Sequence, residues 1–155
     1  MAENGSDHAL QIQAQYVKDL SFENPNAPAV YTALGQSQPE VSVSIDVAST
    51  PLAEHTYEVV LNLQVGANVG GKAAFLVDLQ YAAVVNVHKD VPESEIEPLL
   101  LKETPRFIFP FARGTVADVT REGGFPPLVI NPIDFDRFYE HKKRSQTQDA
   151  AAAGS

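Results

Sequence analysis

Between Ala73 and Tyr81 the chain reads Ala-Ala-Phe-Leu-Val-Asp-Leu-Gln-Tyr, and a period of two runs through the whole stretch. Successive side chains of an extended strand face opposite sides. Phe75, Val77, Leu79 and Tyr81 therefore share one face, and Ala74, Leu76, Asp78 and Gln80 share the other. The first face is apolar and demands burial. The second is polar apart from Leu76, which sits beside Asp78 where water is expected. A chain organised around such a strand needs a sheet with one covered face and one wet face.

The N-terminal half supplies the neighbours. Residues 1–9 are acidic and polar and are expected to be unstructured. From Leu10 the even positions Leu10, Ile12, Ala14 and Tyr16 form an apolar row. Val17 and Lys18 break the alternation, which predicts a bulge, and Leu20 and Phe22 resume it. Asn24-Pro25-Asn26-Ala27-Pro28 ends this first strand, and a loop through Gly35 follows. Val41, Val43, Ile45 and Val47 alternate with Ser42, Ser44 and Asp46 in a second strand, with turn residues expected around Ser49-Thr50-Pro51. Tyr57, Val59, Leu61, Leu63 and Val65 form the apolar row of a third. Gly66 to Gly71 reads as a hairpin connection, and the fourth strand spans about Lys72 to Val87.

The second half reads as helical. Val91-Pro92-Glu93-Ser94-Glu95 resembles a helix start, with acids near the positive end of the dipole. Pro98, Pro105 and Pro110 are expected to cut residues 90–110 into short pieces. A longer helix is predicted over about Arg106 to Glu122, with Phe107, Phe111, Thr115 and Val119 at four-residue spacing, stopped by Gly123-Gly124. Phe125 to Ile130 is an apolar segment stiffened by two prolines. The last helix should start at Asn131, with Pro132 at its first position. Its neighbouring faces carry Phe135, Phe138, Tyr139 and Lys142. From Ser145 onward the small polar composition predicts a tail without structure. The expected organisation is one domain over residues 10–144.

Chemistry is hard to find. The chain has no cysteine, which removes disulfides, thiolate metal sites and cysteine nucleophiles. His8, His55, His88 and His141 lack metal-ligand spacing. Gly66 to Lys72 fits G-x-x-x-x-G-K, but Ala73 stands where a phosphate loop needs Ser or Thr, and the stretch joins two strands. Glu93, Glu95 and Glu97 complement a helix dipole more simply than they form an active site. No catalytic constellation survives, and no cofactor is expected. The net charge is −9, and residues 1–88 hold nine acids against the two bases Lys18 and Lys72. That balance argues against nucleic acid as a partner. No apolar run approaches the ~20 residues that span a bilayer, so a cytoplasmic protein without membrane insertion is expected. Phe107, Ile108, Phe109, Phe111, Phe125, Leu128, Val129 and Ile130 exceed what two helices and one sheet can hide. The surplus points to an oligomer that binds something apolar and extended.

Three stretches carry a family resemblance: Lys18-Asp19-Leu20-Ser21-Phe22-Glu23-Asn24-Pro25-Asn26-Ala27-Pro28, Phe109-Pro110-Phe111-Ala112-Arg113 and Gly124-Phe125-Pro126-Pro127-Leu128. With Tyr57-Glu58-Val59-Val60-Leu61 they resemble SecB, the bacterial protein-export chaperone, and the likeness runs from about Leu10 to Tyr139. The resemblance implies an α+β fold, a four-stranded antiparallel sheet with two principal helices on one side, assembled as a dimer of dimers. It also implies an ATP-independent chaperone, not an enzyme, that holds unfolded precursor proteins and passes them to the SecA motor.

Position by position, the resemblance assigns Asp19, Glu23, Leu76 and Asp78 to SecA docking. Asp78 stands where the family commonly has glutamate. Phe75, Val77, Leu79, Tyr81, Phe125, Leu128, Val129 and Ile130 would serve the client groove and assembly. The basic cluster Lys142-Lys143-Arg144 departs from better-known members. A SecB-like chaperone dedicated to another client, such as an antitoxin, is the alternative within the fold. Loss of the Asp19, Glu23 and Asp78 acids would mark it, and they are present.

Overall fold

A computed structural model describes residues 8–153, with the side chains of residues 8–148. The chain runs β1 (Leu10–Glu23), α1 (Ala29–Leu34), β2 (Glu40–Ala53), β3 (Thr56–Val69), β4 (Lys72–Val87), α2 (Glu93–Pro98), a π-helical turn (Leu99–Glu103), α3 (Thr104–Glu122) and α4 (Phe135–Ala153). The four strands form one antiparallel sheet in the order β1-β4-β3-β2. The helices cover one of its faces. No helix among the described residues is long and apolar enough to cross a membrane.

The fourth strand is central, paired with β1 on one side and β3 on the other. Its odd row is covered as the alternation requires: Phe75, Val77, Leu79 and Tyr81 are all buried, while Leu76 and Asp78 are exposed. Leu79 lies between Leu63 of β3 and Leu20 of β1. Ile108, Ala112 and Val116 of α3 belong to the same buried cluster.

β1 is subtler than its apolar row suggests. Its register slips at Gln13 and again at Lys18. Leu10 and Ile12 pair with Val87 and Val85 on the covered face, but beyond the first slip Ala14 and Tyr16 pair with Val84 and Ala82 on the open one. The expected even row therefore breaks after Ile12. The second slip, at the predicted bulge, restores parity, so Leu20 and Phe22 face inward again. Each extra residue turns every later side chain over.

Several expected boundaries shift for physical reasons. β2 does not end at Ser49-Thr50-Pro51; it runs to Ala53, with Pro51 opposite Tyr57. Proline is tolerated because β2 is an edge strand and its outer side has no ladder to feed. The chain reverses instead at Glu54-His55, where His55 has φ 62°. The hairpin between β3 and β4 is only Gly70-Gly71; Gly66 to Val69 remain in the strand. A short helix, α1, occupies the expected loop before Gly35. The prolines of residues 90–110 leave the segment helical: Pro98 ends α2, Pro105 lies in the first turn of α3, and only Pro110 is interior. The Thr104 hydroxyl donates to the Leu99 carbonyl across the π-helical turn at 2.8 Å.

The buried face of α3 is not the one expected. Ile108, Ala112, Val116 and Thr120 face the sheet, whereas Phe107 and Phe111 are 54% and 49% exposed. α4 starts at Phe135 rather than Asn131, and Asp134 caps it by accepting the Arg137 amide on Oδ1. It continues past Arg144 to Ala153, where a structureless tail was expected. Alanine and glutamine are good helix formers, so low hydrophobicity alone does not end a helix. The expected unstructured N-terminus lies mostly outside the described residues, but the Ala9 carbonyl accepts the His88 amide.

Candidate functional site

The two faces of the sheet present two different surfaces. On the open face, cross-strand pairing builds rows. Glu23 of β1 faces Leu76, which faces Gly66 and then Ser42. The next row is Ser21, Asp78, Gln64 and Ser44, and the next is Asp19, Gln80, Asn62 and Asp46. Glu23, Leu76 and Asp78 thus line one shallow hollow of about 360 Å³ with Ser21, Ser42, Ser44 and Gln64. Asp19 sits on the same face, one row beyond. All four residues assigned by resemblance to docking lie on this surface.

Leu76 is 46% exposed and rests over Gly66. A Cβ built on Gly66 would meet Leu76 Cδ2 at 3.5 Å and Ser42 Oγ at 3.4 Å. The glycine lets the leucine lie flat across the sheet, as an apolar floor between carboxylates.

The charge on this face is partly neutralised at one end. Lys18, displaced by the bulge, reaches across to Glu58 of β3 at 2.7 Å, and the Tyr16 hydroxyl donates to the other carboxylate oxygen at 2.5 Å. The hydrogen bond from Lys18, then that from Tyr16, holds the Glu58 carboxyl below the usual range. The same contact with Glu58 pushes the Tyr16 phenol up to about 12. At the β2 edge Lys142 of α4 reaches past the strand to Asp46 Oδ1 at 2.8 Å and to the Val47 carbonyl. Asp19, Glu23 and Asp78 have no ion-pair partner among the described residues.

These shifts bound the stability contributed by the Tyr16–Glu58–Lys18 brace. A carboxyl with a depressed folded pKa stabilises above its ordinary value, and that contribution is lost as pH falls through the folded value. A phenol with a raised pKa stabilises below 10, and the contribution is lost as pH rises through about 12. Thermal melts of wild type and Glu58→Gln should therefore differ at pH 7 and converge below the ordinary glutamate range. A constant difference down to pH 3 would refute the brace.

The covered face carries the second surface. Phe75, Val77, Leu79 and Tyr81 are buried, so they act on anything outside only through what packs over them. Phe75 joins an aromatic cluster with Phe22, Phe125 and Tyr31, at centroid separations of 5.0 to 6.2 Å. Phe125 and Ile130 are buried, Leu128 is half-buried and Val129 is 65% exposed. The segment runs beside the uncovered part of β2. Val41, Val43, Ile45, Leu128, Val129, Ile130, Asn131 and Ile133 line a cleft of about 440 Å³ between them. Val41, Val43, Ile45 and Ile133 were not among the expected site residues. The alternation of β2 marks its three as apolar, but not that the helices stop short of them.

A third apolar area follows the β1 edge. Val17 and Leu20 lie on the covered side yet are 45% and 38% exposed, because the helices do not extend over them. Toward the start of β1, Leu10, Ile12, Leu99 and Phe107 border a hollow, and Phe111 stacks on Tyr81 with a centroid separation of 6.5 Å. Of the basic cluster, Lys142 is engaged with Asp46, Lys143 lies over the Tyr139 ring at 5.7 Å, and Arg144 is exposed.

No group of His, Asp or Glu that could hold a metal occurs among the described residues. The site offers an apolar cleft, an acidic face and an apolar edge.

Comparison with known proteins identifies the family. The family described as Preprotein translocase subunit SecB matches residues 3–146. The chain is 46% identical to the Protein-export protein SecB of Rhodospirillum rubrum over 149 residues, covering 96% of this chain and 91% of that relative. It is 49% identical to that of Parvibaculum lavamentivorans over 154 residues, covering 98% and 89%. Among solved structures, a SecB-like chaperone of Mycobacterium tuberculosis in complex with an antitoxin peptide superposes with TM-score 0.68 at 16% identity, covering 81% of this chain and 91% of that one.

Proposed function

Since the chain belongs to the SecB family of protein-export chaperones, we propose that it binds unfolded precursor proteins without ATP in the cytoplasm and hands them to the SecA motor. The observation that carries this reading is the division of one sheet into two unlike surfaces. The covered side ends in an apolar cleft, and the open side holds one exposed leucine near three carboxylates that have no ion-pair partner among the described residues.

The cleft between β2 and residues 128–133 suits extended chain with apolar side chains. Burying three or four large client side chains gives roughly 5–10 kcal/mol gross. Ordering a disordered client offsets much of that. Broad, reversible holding follows. On the open face, Asp19, Glu23, Leu76 and Asp78 would dock a basic surface of SecA. The β1 edge, with Val17, Leu20, Phe107 and Phe111 exposed, would be buried in a dimer of dimers.

The purified protein should suppress aggregation of an unfolded precursor at one tetramer per client without nucleotide. Unchanged aggregation would overturn the chaperone reading for this chain. Light scattering should give a tetramer, and a monomer would refute the assembly. Chains co-purified from cells should be enriched in precursors that retain signal sequences. Enrichment in a single antitoxin instead would replace export by the dedicated-chaperone alternative.

A further inference from the structure

We propose that Thr120, a fully buried residue of α3, is the positioning residue that sets the outer wall of the client cleft. The inference rests on reading residues 128–133 as that wall. It begins with a donor inventory. Pro126 and Pro127 have no N–H, so Phe125 and Leu128 carry the only backbone donors between residues 125 and 128. Both go to Thr120: the Phe125 amide to its carbonyl at 3.1 Å and the Leu128 amide to its hydroxyl at 3.0 Å.

The first of these bonds is part of a helix-terminating motif. Gly124 has φ 87°, the left-handed region that glycine enters cheaply. Its amide bonds to the Arg121 carbonyl while the Phe125 amide reaches back to Thr120, the paired pattern of a Schellman cap. Gly123 is needed for space instead: a Cβ there would come within 2.3 Å of Phe22 Cζ. The cap brings the chain back along α3 and delivers Leu128 to the Thr120 hydroxyl.

That hydroxyl is itself oriented. Its proton is directed to the helix carbonyls of Val116 at 2.9 Å and Ala117 at 3.1 Å, which leaves an oxygen lone pair for the Leu128 amide. The oxygen therefore acts as a fixed acceptor, held by the same helix that packs on β4. Without it the Leu128 amide has no partner in a half-buried place. The segment can then regain hydration only by lifting from α3, which moves Val129 and Ile130 relative to Val41 and Val43.

Thr120→Val removes the acceptor and keeps the shape. Hydrogen exchange of the Leu128 amide should accelerate by about fivefold or more, the ratio expected for one net hydrogen bond. Affinity for an unfolded precursor should fall by about the same factor, with SecA binding at the opposite face unchanged. Thr120→Ser keeps the oxygen and should restore both values. If the valine variant does not fold, the Ser and Ala variants at this position give the same comparison. Unchanged exchange at Leu128, or faster exchange with unchanged client affinity, would overturn the role of Thr120. Val129→Asp tests the underlying reading separately. If it leaves client affinity unchanged, residues 128–133 are not the wall, whatever Thr120 does to exchange.

Discussion

Asp78→Lys is expected to weaken SecA binding by one to two orders of magnitude while leaving client binding and the melting temperature nearly unchanged. Asp78 stands on the central strand of the open face, exposed, with uncharged Ser21 and Gln64 on either side of it in its row. Its charge is therefore available to a partner. Losing one attraction and gaining one repulsion against a basic surface is worth about 2 kcal/mol, or roughly thirtyfold in Kd. Asp78→Asn removes only the attraction and should cost about fivefold. Both losses should shrink in high salt, because exposed charges are screened beyond about 8 Å at physiological ionic strength. Undiminished binding by the lysine variant, or binding indifferent to salt, would refute docking on this face.

Leu79→Ala is expected to cost about 3–4 kcal/mol of folding stability, near the middle of the range for a buried leucine on a rigid element. Leu79 is fully buried between Leu63 and Leu20, beneath α3. Three positions earlier on the same strand, Leu76→Ala should cost less than about 1 kcal/mol, since Leu76 already meets water. Its effect should fall on SecA affinity instead. Denaturant titration of the two variants reads the difference directly. Equal costs would mean that the faces of β4 are wrongly assigned, and with them both surfaces of the sheet.

The strands were legible because period two needs no knowledge of neighbours. β4 follows its alternation from Phe75 to Tyr81, and the bulge at Lys18 is marked by two adjacent residues that break parity. The slip at Gln13 leaves no such mark. Ala14 and Tyr16 are apolar enough to continue an inward row, although the first is exposed and the second hydrogen-bonds to Glu58. The helix face failed for a related reason. α3 has two stripes at four-residue spacing, and the eye follows the aromatic one through Phe107 and Phe111. The stripe on the sheet includes Ala112 and Thr120, whose small side chains let the helix come close. Which stripe is buried depends on what lies opposite.

The candidate sites divide in the same way. Asp19, Glu23, Leu76 and Asp78, the residues proposed for docking, lie on one face because strand parity and register put them there. The cleft depends on how far the helices reach over β2, which residue patterns do not encode. Val41, Val43 and Ile45 read as ordinary inward positions until the uncovered stretch of sheet is seen beside Leu128 and Ile133.

The strand order also has a consequence for synthesis. β2, β3 and β4 are joined by tight turns and can zip together as each is made, but β1 pairs only with β4. Leu10 has no ladder partner until Val87 has left the ribosome. Closing so long a loop adds little to the equilibrium cost, which grows only with the logarithm of its length. It does delay the event, because non-local pairing is slow. For that interval the nascent chain carries one unpaired strand, and the growing meander has a second open edge besides that of β2.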